Sequence, residues 1–177
     1  MENDVAEPAG RDEFVSAPAA RSRRLAIVAV VVAVIVAADQ ATKSLAVARW
    51  TLRPREIVGT HVELIVTRNS GSAFSRFQSF TPVLAVGAIA IAILLARAAQ
   101  RESDRVMLVA LVLVLGGALG NLTDRIVRSP GFLRGEVVDF VKVGWWPVFN
   151  LADSCVTIGA VLLVVRGLFP PASERSP

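Results

Sequence analysis

Val106 to Leu122 reads VMLVALVLVLGGALGNL and runs directly into Thr123-Asp124-Arg125. At about 1.5 Å rise per residue this apolar run crosses most of a bilayer as a helix, and it ends on an acid. A second acid, in Asn150-Leu151-Ala152-Asp153-Ser154, lies near the start of another apolar run, Val148 to Leu168. A carboxylate at bilayer depth costs roughly 2.5–3.5 kcal/mol on insertion scales, so two of them marking adjacent spans ask for a functional reason.

Working outward, Leu25 to Ala48 and Phe80 to Ala96 are further apolar spans. The chain of 177 residues is 54% hydrophobic, with mean hydropathy +0.57. A soluble domain would interleave charge with apolar residues; here they are sorted into blocks, which defines an integral membrane protein. The fold class expected is all-α with four transmembrane helices. Residues 1–20, rich in Glu, Asp, Pro, Ala and Gly, read as a disordered cytoplasmic tail, 21–168 as the membrane domain, and 169–177 as a second cytoplasmic tail. A cleaved signal peptide ending at Val36-Ala37-Ala38 is a rival reading of the first span, but apolar residues continue through Ala41, Leu45 and Ala46.

The net charge of +4 is spread over ends and loops, which speaks against nucleic-acid binding. Arg21, Arg23, Arg24, Arg97, Arg101 and Arg105 favour a cytoplasmic N-terminus, with the turn 97–105 on the same side. Arg49, Arg53, Arg55 and Arg68 weaken that asymmetry, because they fall on the opposite face. The loop there, 50–79, alternates β-branched and polar residues from Glu56 to Val66 and predicts a small hairpin or sheet on the membrane surface. Trp145-Trp146 reads as an interfacial belt.

With an inside N-terminus, Asp124 lies roughly 27 Å beyond Val106, near the outer edge of the hydrocarbon, and Asp153 enters from that edge. Antiparallel helices can thus bring both carboxylates to one level. Two carboxylates at hydrogen-bonding range share a proton, the state in which one activates water and the other protonates the reacting group. The competing reading is a structural bridge from each acid to Arg125, Lys43 or an amide. Asn121 and Asn150 each precede an aspartate by three residues, and either orient the carboxylates or satisfy helix ends. Asp39 and Lys43, spaced i, i+4, compensate each other. Cys155 reads as packing, and His61, the only histidine, offers no metal constellation.

Five ordered blocks carry a resemblance: Asp39-Gln40-x-x-Lys43, Asn69-Ser70-Gly71-Ser72-Ala73-Phe74-Ser75, Gly116-Gly117-Ala118-Leu119-Gly120-Asn121-Leu122-x-Asp124-Arg125, Val137-Val138-Asp139-Phe140 and Phe149-Asn150-Leu151-Ala152-Asp153-Ser154. Together they resemble the bacterial lipoprotein signal peptidases (signal peptidase II). The resemblance implies an aspartic endopeptidase of the cytoplasmic (inner) membrane that cuts prolipoproteins just before a diacylglyceryl-modified cysteine and is inhibited by globomycin. Carried onto this chain it implies a catalytic pair Asp124 and Asp153, supporting or substrate-binding positions at Asn69, Gly71, Asn121, Arg125 and Asn150, and a structural Asp39 with Lys43. It also implies an extracytoplasmic β-cradle from the 50–79 loop, a short surface helix between spans three and four, and lipidated precursors, membrane lipids and globomycin-type inhibitors as partners; no cluster of residues has metal-ligand spacing, no cofactor is expected, and a monomer is the expected state. Thr123, and a segment from Arg128 to Glu136 longer than usual, depart from the pattern. A proton-relaying transporter and a non-enzymatic helical scaffold are the alternatives from other classes.

Overall fold

The computed structural model describes residues 16–71 and 81–169. Most of the tail expected at 1–20, the block Ser72-Ala73-Phe74-Ser75, the start of the second span at Phe80 and the C-terminal tail beyond Phe169 lie outside the described residues. Four helices are long and apolar enough to cross a membrane: α1 (Ser16–Trp50), α2 (Thr81–Arg101), α3 (Arg105–Val127) and α4 (Leu151–Leu168).

The helix ends differ from the expected spans for local reasons. α1 starts at Ser16, inside the segment expected to be disordered. Pro18 falls in its first turn, where a missing N–H is harmless, and the flanking alanines are the best helix formers. α2 continues to Arg101 because arginine stems can lie along a helix while their heads reach the interface. The turn to α3 is therefore only 102–104, where the Asp104 carboxylate caps α3 by accepting from Met107 N at 2.8 Å. The same carboxylate pairs with Arg166, tying the end of α4 to the start of α3. At its other end α3 runs through Asp124 to Val127 rather than stopping at Leu122.

α3 is the central helix, packing against α1, α2 and α4. Val32, Ala92, Val112 and Leu115 form the apolar core where α1, α2 and α3 meet. Between α3 and α4 the backbones themselves touch: a Cβ on Gly117 would lie 2.4 Å from the Ala152 carbonyl oxygen, and one on Gly159 2.7 Å from that of Ala110. Such close approach is how helices associate where burying apolar surface brings no gain over lipid. The outward faces carry exposed Val30, Val34, Val86, Leu94, Val161 and Val164, an aggregation hazard in water and an ordinary lipid-facing surface in a bilayer.

One end of the bundle carries a three-stranded antiparallel sheet, ordered β1 (Arg55–Val58), β2 (Val62–Asn69) and β3 (Val137–Val143). The hairpin expected in the 50–79 loop is β1 and β2, turning through Gly59 at φ 49°. The third strand comes from the α3–α4 connection, where the resemblance implied a surface helix; that connection holds β3 instead. Its Val-Val-Asp-Phe-Val-Lys-Val pattern is rich in β-branched residues, and its N–H and C=O groups find the free edge of β2. Trp50, at the end of α1, packs on Phe140 of β3 with ring centroids 6.1 Å apart, seating the sheet on the bundle.

Candidate active site

Two groups of carboxylates lie side by side beneath the sheet, and they differ in what surrounds them. In the first, Lys43 Nζ of α1 sits 2.7 Å from Asp39 Oδ2 and 2.9 Å from Asp124 Oδ2, with all three side chains fully buried. Arg128 Nε approaches Asp124 Oδ1 at 2.7 Å. Two acids and two bases leave this group neutral overall, so each buried charge is compensated. Asp39 and Lys43 do compensate each other as expected, but the ammonium also reaches across to α3.

Asp124 then takes two more hydrogen bonds, from Gln40 Nε2 at 3.0 Å and from Val138 N at 3.1 Å. Counting Lys43 and Arg128, four donors reach its two oxygens. A carboxylate has about four acceptor positions, so Asp124 has none left for a water or a substrate oxygen. The sequence leads to Asp124 as half of a reacting pair with Asp153, whereas here it is an acid whose acceptor positions are all filled by the protein. Asp39 is committed as well: Oδ1 accepts from Ala152 N at 3.0 Å, in the first turn of α4.

The second group is Asp139 on β3 and Asp153 on α4, joined through Asn150. Asn150 caps α4 by a capping box: its Oδ1 accepts from Asp153 N at 2.9 Å, and its own N–H donates to Asp153 Oδ2 at 3.2 Å. The side-chain amide of Asn150 meanwhile donates to Asp139 Oδ1 at 2.7 Å. One residue therefore starts the helix and holds both acids. Asn121 Nδ2 donates to Asp153 Oδ1 at 2.8 Å, and Asn69 Nδ2 to Asp139 Oδ2 at 3.2 Å. Asn121 thus serves Asp153 across the helix interface, not Asp124 on its own helix. Its amide has a fixed sense, because Oδ1 accepts from Lys43 Nζ at 2.9 Å and only the NH₂ remains for the carboxylate.

Among the described residues no cation lies within 4 Å of either Asp139 or Asp153. Asp139 is 3% exposed. Burial first, and then the charge of Asp153, push its carboxyl up to about 6, against smaller opposing effects of Asn69, Asn150 and Lys43. Asp153 is half-buried and lines a cleft of about 380 Å³ with Trp146, Phe149, Ser154, Thr157 and Ile158. The cleft is mostly apolar and opens on the outer face of α4, where Trp145 and Trp146 are exposed as an interfacial belt would be.

Two further expected residues also converge here. Gly71 adopts φ 83° and donates its N–H to Asn69 Oδ1 at 2.8 Å, a turn that aims the Asn69 amide at Asp139. A Cβ at Gly71 would stand 3.0 Å from Arg125 Nη2, so only glycine leaves the guanidinium its place. Among the described residues Arg125 Nη1 is buried without a hydrogen-bond partner, a donor left over for something else. Asp139 is the site residue that sequence reasoning passed over. The available signal was an ionisable group in a strand otherwise made of Val and Phe, a placement that a solvent-facing loop acid would not have.

Four membrane-length helices with a small three-stranded sheet at one end are the architecture of a multi-pass membrane protein. Two solved bacterial membrane enzymes share it: one matches with TM-score 0.69 at 28% identity, over 86% of this chain and 93% of that one, and the other with TM-score 0.68 at 29% identity, over 82% and 95%. The chain belongs to the signal peptidase II family, whose model, described as Signal peptidase (SPase) II, matches residues 31–169. It is 46% identical over 162 residues to the lipoprotein signal peptidase of Rhodococcus jostii, covering 89% of this chain and 81% of that protein. It is also 44% identical over 154 residues to that of Mycobacterium tuberculosis H37Rv, covering 86% and 75%. The protein is a peptidase of the membrane.

Proposed function

We propose that this protein is an aspartic endopeptidase that removes signal peptides from bacterial prolipoproteins, cutting just before the diacylglyceryl-modified cysteine, with Asp139 and Asp153 as its catalytic carboxylates. One observation carries the assignment: these two acids are joined through Asn150, lack a cationic partner among the described residues, and include one that faces an open cleft, whereas Asp124 is saturated by four donors.

Asp139, whose carboxyl burial and its neighbour's charge push up to about 6, is the acid; Asp153 is accordingly the base. A water between them loses a proton to Asp153 as its oxygen attacks the scissile carbonyl carbon. The Asp139 proton passes to the carbonyl oxygen, giving a neutral tetrahedral diol. Asp153 then returns its proton to the amide nitrogen as the C–N bond breaks, and Asp139 recovers one from a diol hydroxyl. The free Nη1 donor of Arg125 fixes a neighbouring peptide carbonyl of the substrate, which explains a buried guanidinium nitrogen otherwise without a partner. The apolar cleft beside Asp153 suits a lipid-linked substrate, since each buried CH₂ contributes about 0.8 kcal/mol.

Both acids come from one chain, which supports action as a monomer. The arginines at the end of the bundle opposite the sheet support a cytoplasmic N-terminus in the inner membrane, with the sheet and the site near the extracytoplasmic face. The deciding experiment incubates the purified protein with a diacylglyceryl-prolipoprotein, with and without globomycin. Cleavage that globomycin blocks, and that Asp139→Asn and Asp153→Asn each abolish, is the expected result. Full cleavage by Asp139→Asn would sink the assignment of the acids, and no cleavage by the wild type would sink the substrate.

A further inference from the structure

The end of α1 beside the sheet holds a second cleft, of about 620 Å³, lined by Val47, Arg49, Thr51, Leu52, Arg53 and Arg68. None of its lining residues belongs to either carboxylate group. Three guanidinium groups from separate places in the chain, the last turn of α1, the loop after it and the far end of β2, are brought to one concavity. Arg49, Arg53 and Arg68 are all exposed, and among the described residues no carboxylate lies within 4 Å of any of them. No acidic residue is among those that line the cleft. The cleft is therefore a concentration of positive charge without a protein counter-ion.

Its depth is marked independently. Trp50, adjoining Arg49, and the exposed pair Trp145-Trp146 are residues that settle at the headgroup layer. Leu52, 91% exposed, and Val47 line the cleft together with the three arginines, so apolar side chains stand beside the guanidinium groups. The Thr51 hydroxyl donates to the Val47 carbonyl at 2.7 Å, which occupies one of the helix-end oxygens that would otherwise repel an anion. Guanidinium forks matched to phosphate geometry, at headgroup depth and rimmed by apolar groups, describe a phospholipid site.

We propose that Arg49, Arg53 and Arg68 bind the phosphodiester of an anionic phospholipid in the leaflet on the sheet side, with Leu52 against its glycerol and upper acyl carbons. The site accounts for arginines on the face where positive charge is otherwise disfavoured. It does not depend on the identity of the peptidase substrate, so its test uses binding and not cleavage.

The full chain, delipidated in neutral detergent, is titrated with phosphatidylglycerol, with phosphatidylcholine and with inorganic phosphate, and bound lipid is counted by native mass spectrometry. The expected result is retention of phosphatidylglycerol over phosphatidylcholine that inorganic phosphate at equal concentration does not displace. Arg49→Gln, Arg53→Gln and Arg68→Gln should each weaken it by roughly fivefold. Arg68→Gln, at an exposed strand end, keeps the test usable if the substitutions on α1 lower the yield of folded protein. Equal retention of the two lipids, displacement by phosphate alone, or undiminished binding by Arg68→Gln would each overturn the proposal.

Discussion

The two carboxylate groups beneath the sheet share the same depth and even share a neighbour, Asn121, yet one is chemically closed and the other open. Around Asp39 and Asp124 every oxygen meets a cation or an N–H, and the charges cancel. Around Asp139 and Asp153 the donors are amide groups alone, and one acid faces a cleft. Burial of an acid in a membrane protein is thus not by itself a mark of catalysis. On the proposed assignment, what separates structural from reactive acids is whether a proton has anywhere to go.

The largest effect that tests the contrast is on turnover. Asp139→Asn and Asp153→Asn should each lower cleavage of a lipidated precursor by roughly 10³-fold or more while leaving the thermal unfolding midpoint close to wild type. Asp124→Asn and Lys43→Met should do the reverse. Breaking one side of a buried ion pair costs about 3–5 kcal/mol, so these variants should give less folded protein and a lower unfolding midpoint in detergent. Cleavage per folded Asp124→Asn molecule should stay within about tenfold of wild type, and a turnover loss as deep as that of Asp139→Asn, with stability intact, would erase the distinction between the two groups.

A subtler effect lies in pH. Because burial raises the Asp139 carboxyl to about 6, it is protonated and active below that value and ionises above it. The kcat/KM of the wild type should therefore fall about tenfold per pH unit on the alkaline side of that limb. Asn69→Ala removes a hydrogen bond that favours the ionised form, so the limb should move to higher pH. A pH–rate profile that Asn69→Ala leaves in place would mean that another group sets it. The smallest expected change calibrates the rest: Glu63→Gln breaks the partly exposed pair with Lys142 and should cost less than about 1 kcal/mol, with cleavage untouched.

Helix count, approximate span limits and the presence of a surface hairpin were legible because they follow from hydrophobic runs and alternating β-branched residues, both local properties. Asn69, Gly71, Asn121, Arg125, Asn150 and Asp153, each singled out from the sequence, lie together in the fold. What the chain did not disclose was pairing. Asp124 and Asp153 lie at comparable depth on adjacent antiparallel helices, so spacing alone made them partners. Only the reach of Lys43 from α1 and the N–H of Val138 from the following connection show that Asp124 is already occupied. β3 was hidden for a similar reason: its edge partner β2 lies about 70 residues away, as the bond between Asn69 and Asp139 shows. A strand that exists by virtue of a distant edge leaves little local signal.

The dual use of Asn150 ties assembly to chemistry. The amide that donates to Asp139 belongs to the residue whose backbone and side chain set the first turn of α4. α4 is the last of the four helices in chain order, so Asp139 gains this amide, and Asp153 as its neighbour, only once the first turn of α4 has formed beside β3. With Asp139 and Asp153 as the proposed catalytic pair, proteolytic competence depends on the final helix being in place. A copy whose last helix has not docked is, on that reading, an inactive one.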